Sequence, residues 1–138
     1  MKVENQVSPG REQIQAFLST QGGGPVAMVN LLKFREKAEY EDGRETDLSG
    51  AEAYALYAGE MRKLVEGSGG KFIFGAQVVG LLLGEVEELW DMVGVVEYPE
   101  PASLLKIASS PKFQEIEKHR EAGLAGQLNI TTRVGQFG

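Results

Sequence analysis

Two neighbouring runs constrain this chain more than anything else in it. Residues 71–84, from Lys71 through Phe74 and Val79 to Gly84, and residues 90–99, from Trp90 to Pro99, are apolar, β-branched and aromatic, and glycine punctuates both. Such runs, joined by a charged turn, read as a long β-hairpin. The turn carries Glu85, Glu87 and Glu88. It lacks the alternating acidic ligands and glycine of a calcium loop, so it reads as a solvated tip and not as a cation site.

The remaining segments must cover that hairpin. Ser8-Pro9 gives a helix-start signal, and Ile14, Phe17 and Leu18 then share one face, so a leading helix is expected over 8–21. It stops at Gly22-Gly23-Gly24-Pro25, a triplet without the preceding strand and Lys-Ser/Thr of a phosphate loop. Val26–Phe34 is almost continuously hydrophobic, which places it in the centre of a sheet. Asn30 interrupts it; either it satisfies neighbouring backbone or it lines a polar pocket. Residues 35–48 are rich in charge and lack periodicity. They read as an exposed loop, with a lid as the functional alternative.

Ser49 and Glu52 form a capping box, and the helix behind them sets Tyr54, Tyr57, Met61 and Val65 on one stripe. The two tyrosines are core residues with a wet hydroxyl, or they point into a pocket. Pro99 and Pro101 end the second hairpin strand. Ser110-Pro111 starts another helix, on which Phe113, Ile116, Glu117 and Arg120 form a stripe with His119 beside it. In the last run, Leu128, Ile130, Thr132 and Val134 alternate with Gln127, Asn129, Thr131 and Arg133, which reads as an edge strand with one wet face.

After the leading helix the order is strand, helix, strand, strand, helix, strand. That is the split βαβ pattern of a ferredoxin-like α+β fold, with both helices on one face of a four-stranded antiparallel sheet. A chain of 138 residues suits a single domain over 1–138. The uncovered face is too apolar for water in either hairpin register, so a homodimer packed sheet against sheet is expected. If the register holding Ile73, Gly75, Gln77 and Val79 faces inward, Gln77, Asp91, Glu97 and Arg133 join an apolar interior, the pattern of a small-ligand pocket or of a wet interface.

Composition excludes several function classes. The net charge of -6 and a pI near 4.9 disfavour nucleic acid and anionic membranes as partners. No apolar run is long enough to span a bilayer, and residues 1–6 lack the apolar centre of a signal peptide. With no cysteine and one histidine, a thiolate site is excluded and no metal or other cofactor is expected; a cytoplasmic location is.

Several segments together resemble one family. They are Gly24–Phe34, Ser49–Tyr54 with Tyr57, Trp90-Asp91, Val96–Pro99, Ser110–Gln114 and His119-Arg120, in that order. The family is a bacterial domain of unknown function (number 1330), placed among the dimeric α/β-barrel proteins. The resemblance implies the fold and the dimer. It brings no established activity. The wider superfamily includes cofactor-free monooxygenases, lactone isomerases and haem enzymes, and this chain has none of their diagnostic residue sets.

Two functional readings stand side by side. In the first, a pocket between sheet and helices holds a small organic molecule, with Asn30, Tyr54, Tyr57, Gln77 and Glu97 as binding residues. His119 would then move a proton and Arg120 hold a carboxylate or enolate, for cofactor-free proton-transfer or oxygenase-type chemistry. In the second, the chain is a dimeric ligand-binding or stress-associated module without chemistry. His119 is then an exposed helix-end residue and Arg120 an ion-pair partner of Glu117.

Overall fold

The fold is described from a computed structural model over residues 1–135. β1 (Val26–Phe34) is flanked on both sides, by β3 (Met92–Tyr98) and by β4 (Leu124–Arg133), and β2 (Lys71–Gln77) extends the sheet beyond β3. The order β2-β3-β1-β4, all antiparallel, is that of the ferredoxin-like fold. The hydrophobic run of β1 is therefore central, as its composition requires, and Val26, Met28 and Leu32 are buried.

The helices lie on one face. α2 (Gly50–Gly67) and α4 (Pro111–Gly123) are the crossovers, and α3 (Pro101–Ala108) precedes α4. Val26, Met28, Val96 and Tyr98 from the sheet pack with Tyr57, Met61 and Val65 of α2 and Ile116 of α4. The capping box forms: Ser49 accepts from the Glu52 amide at 3.0 Å, and Glu52 accepts from the Ser49 amide at 2.9 Å. Ser110 caps α4 in the same way, accepting from the Phe113 amide. The two crossovers meet through bare glycine. A Cβ on Gly123 would strike the Gly50 carbonyl and lie 3.0 Å from the Tyr54 amide nitrogen. Among the described residues no helix is long and apolar enough to cross a membrane.

Four expectations change. The leading helix is shorter: α1 spans Arg11–Leu18 and begins at Gly10, whose backbone amide donates to Gln13 Oε1, so the Ser8-Pro9 start is not used and the chain bends at Val7 and Ser8 before the helix. The hairpin is also shorter. The ladder ends at Gln77 opposite Met92, with one further bond from the Val78 amide to Asp91 O at 2.9 Å, and no strand is formed over residues 78–91. Asp91 closes its base, with its amide donating to Leu32 O at 2.7 Å and its carboxylate accepting from the Phe34 amide at 2.8 Å.

Third, neither hairpin register holds throughout. A bulge at Ile73 puts Phe72 opposite Val96 but Phe74 opposite Val95, so β2 changes face halfway along. Fourth, the 35–48 segment is not wholly exposed. Ala38 and Tyr40 are buried with Leu48, Ala53 and Ala122 in a small second core, tied by hydrogen bonds from Ala38 N to Leu48 O and from Glu39 N to Ala122 O.

Candidate functional site

Residues paired across a sheet share a face, so the rows of the ladder can be read directly. The row Asn129, Asn30, Gly94, Gly75 lies on the helix-covered side. Its two glycines carry no side chains, and a Cβ on Gly94 would meet no atom within 4 Å. Above this bare floor is a cavity of about 650 Å³. Tyr54 and Tyr57 of α2 and Phe113, Glu117 and Arg120 of α4 form its walls, Leu104 of α3 closes one side, and Val7–Pro9 of the N-terminal strap lie across it. A second cavity of about 300 Å³ adjoins it and shares the strap, Arg120 and Gln127. The strap is held to the sheet edge by reciprocal backbone bonds between Gln6 and Gln127, at 3.3 and 3.0 Å, and by the Trp90 indole donating to Asn5 at 2.8 Å.

A polar relay crosses the cavity floor. Arg120 Nη2 donates to Gln127 Oε1 at 2.7 Å, and Gln127 Nε2 donates to Asn30 Oδ1 at 2.7 Å. Asn30 Nδ2 donates in turn to the carbonyls of Met28 and Gly94, both at 3.3 Å. Asn30 thus does both things expected of it: it satisfies backbone and it lines the cavity. The relay fixes the Arg120 guanidinium through a neutral carboxamide, so its charge is not cancelled there.

The tyrosines differ from the carboxamides. Among the described residues the hydroxyls of Tyr54, Tyr57 and Tyr98 have no protein partner, while no buried side-chain nitrogen or oxygen is left unsatisfied, so these hydroxyls open onto the cavity. Burial pushes the Tyr54 phenol up to about 12, against the opposing pull of the Arg120 charge. Burial likewise raises Tyr57 and Tyr98. All three stay protonated near neutral pH and present O–H donors. Tyr54 and Tyr57 pack as a tilted pair with centroids 5.4 Å apart, and Tyr57 meets Phe113 edge to face at 6.1 Å.

Four of the residues singled out from sequence therefore meet: Asn30, Tyr54, Tyr57 and Arg120. Three do not. Gln77 stands exposed at the end of β2, opposite Met92. Glu97 lies on the open face, 3.6 Å from Lys71 Nζ. His119 points to the second core, where the Tyr40 hydroxyl lies 2.6 Å from Nδ1; partial burial and the nearby Lys118 and Arg44 charges lower its pKa, which favours the neutral acceptor. Gln127, Glu117, Tyr98 and the glycine floor were not foreseen. The signal for Gln127 was present in the alternation of β4, but that polar side lies on the helix face: Gln127 is buried there, while Asn129 and Thr131 stay exposed at the sheet edge.

No curated protein matches the chain. Among solved structures it is similar to RPA0582, a protein of unknown function from Rhodopseudomonas palustris, at 32% identity over 94% of this chain and 96% of that one, with a TM-score of 0.83. The methylated form of RPA0582 gives 34% identity, 97% and 100% coverage and a TM-score of 0.84. A NIPSNAP-like domain protein from Burkholderia xenovorans, 14% identical over 83% of this chain and 88% of its own, with a TM-score of 0.52, shares the fold alone. The model of the domain of unknown function DUF1330 matches residues 44–134, a span that holds α2, α4 and three of the four strands, and the chain belongs to that family.

Proposed function

We propose that this protein binds a small organic molecule in the cavity between sheet and helices, with Arg120 as its charged anchor, and that two copies pair through the open sheet face. The observation that carries the binding is the relay: a guanidinium at the cavity wall is positioned by Gln127 and Asn30 and keeps donors free for a guest. The open face supports the pairing. Its central rows are Ile130, Val29, Val95, Phe74 and Leu128, Leu31, Val93, Ala76, and an apolar sheet of that extent favours a covering partner.

A catalytic version of this reading is favoured by one further observation. Glu117 lines the same wall as Arg120, so a carboxylate able to accept a proton stands near a cation able to stabilise an enolate. His119, bonded to Tyr40, is outside that arrangement. Calorimetric titration of small organic acids into wild type and Arg120→Gln tests the binding: heat seen with wild type and lost in the variant supports it. Loss of the α-proton of an enolisable acid in D2O, followed by NMR, tests the chemistry. Exchange abolished in Glu117→Gln but kept in His119→Ala supports catalysis. Binding without exchange leaves a non-catalytic ligand-binding module.

A further inference from the structure

We infer that the guest is a flat oxo acid: a carboxylate on Arg120, a second oxygen on a tyrosine hydroxyl, and an aromatic body over the glycine floor. This rests on the cavity being a binding site and goes on to name the class of molecule it takes.

The polarity of the wall sets the head group. Beside the Arg120 guanidinium stand the hydroxyl donors of Tyr54 and Tyr57, and the acidic group on the same lining is Glu117. The carboxamides of Asn30 and Gln127 are committed to each other and to backbone. Two hydroxyl donors beside one cation favour an anion with more than one oxygen acceptor, and leave the Glu117 carboxylate to face the carbon next to the oxo group. The charge of Arg120 reaches both Tyr54 and Tyr57, and that of Glu117 reaches Tyr57, so cation, carboxylate and hydroxyls address the same region of the lining.

Shape sets the body. Gly94 and Gly75 pair side by side and bring no side chain to the floor, so a flat body can lie against the strands there. Tyr57 and Phe113 stand edge to face beside it, and aromatic walls of that kind favour a ring. Arg62, the other cation on the lining, is already occupied by Glu66 at 3.5 Å and by the Phe72 ring.

Four probes separate these features in calorimetric titrations of the full chain. Phenylpyruvate has acid, oxo group and ring; 3-phenylpropionate lacks the oxo group, phenylacetone the acid, and 2-oxohexanoate the ring. Phenylpyruvate is expected to bind tightest, with phenylacetone weaker by about tenfold or more, the scale of a lost charge-assisted hydrogen bond. Arg120→Gln should weaken the three acids and leave phenylacetone unchanged. Tyr54→Phe should weaken the oxo compounds and spare 3-phenylpropionate. A Cβ on Gly94 meets no atom within 4 Å, so Gly94→Ala should keep the melting temperature and weaken all four probes. Equal affinity of phenylpyruvate for any one of the three lesser probes overturns the assignment while the cavity reading stands. Binding of none of the four at millimolar concentration overturns the cavity reading as well.

Discussion

The covered and open faces of the sheet carry each other's expected residues. A sheet with helices on one side ordinarily buries apolar side chains there and leaves polar ones to water. Here the covered side holds Asn30, Asn129 and Gln127 with Arg120 above them, whereas the open side holds Val29, Leu31, Val93, Val95 and Ile130. The inversion is confined to the middle of the sheet. At the Val26 end the covered side is an ordinary core of Val26, Tyr98, Val65 and Met61. The polar residues therefore mark where the helices stand off from the sheet, and the apolar ones support the proposed pairing.

The largest effect is expected on the open face. Val29→Lys puts a charge at the centre of the central strand, and burying it unpaired in a dimer costs several kcal/mol. Sedimentation should show wild type as a pair and the variant as a single chain at micromolar concentration. A wild-type monomer under those conditions would sink the pairing. Next comes the seat of the helices. Gly123→Ala drives a methyl group into the Gly50 carbonyl, and urea unfolding should record a loss of about 3 kcal/mol; an unchanged midpoint would mean that α2 and α4 have room to part.

A smaller loss separates the polar floor from a core. Asn30→Leu removes the acceptor of buried Gln127 Nε2 and should cost about 1–3 kcal/mol in the same assay. The double variant Asn30→Leu/Gln127→Leu should regain part of that, since two apolar groups leave no orphaned donor. If the double variant is worse than the sum of the singles, the relay contributes more than mutual satisfaction.

The smallest effect lies outside the cavity. His119 has a lowered pKa in the folded chain, through partial burial first and the Lys118 and Arg44 charges after it. The unfolded chain then binds the proton more readily, so this contribution is intact above the ordinary histidine value near 6.5 and is lost as pH falls below it. Unfolding midpoints taken between about pH 7.5 and 5 should drop more steeply for wild type than for His119→Gln. Parallel curves would remove His119 from the account of stability.

What could be read from the sequence was local. Ser49 with Glu52, and Ser110 with Pro111, fixed two helix starts because a cap needs only its own first turn. The Val26–Phe34 run placed itself at the centre of the sheet because its hydrophobicity is continuous. What could not be read depends on distant partners. Nothing near Ile73 announces a bulge, which is defined only against β3. Ala38 and Tyr40 look like parts of a charged loop until Ala53 and Ala122 are brought beside them. His119 and Arg120 are neighbours in sequence yet serve different places, one facing Tyr40 and the other Gln127, because adjacent positions on a helix diverge by about 100°.

The bare row at Gly94 and Gly75 has a consequence for how this architecture diversifies. Chamber depth is set by two strand positions whose backbone needs nothing special, since neither has a positive φ. A Cβ meets no atom within 4 Å at Gly94 and only Met92 Cε, at 3.6 Å, at Gly75, so one carbon added at either position would shrink the cavity and leave the ladder hydrogen bonds in place. Under the proposed binding reading, guest size is separable from fold stability, and single substitutions at these two places would step it from bulky to compact.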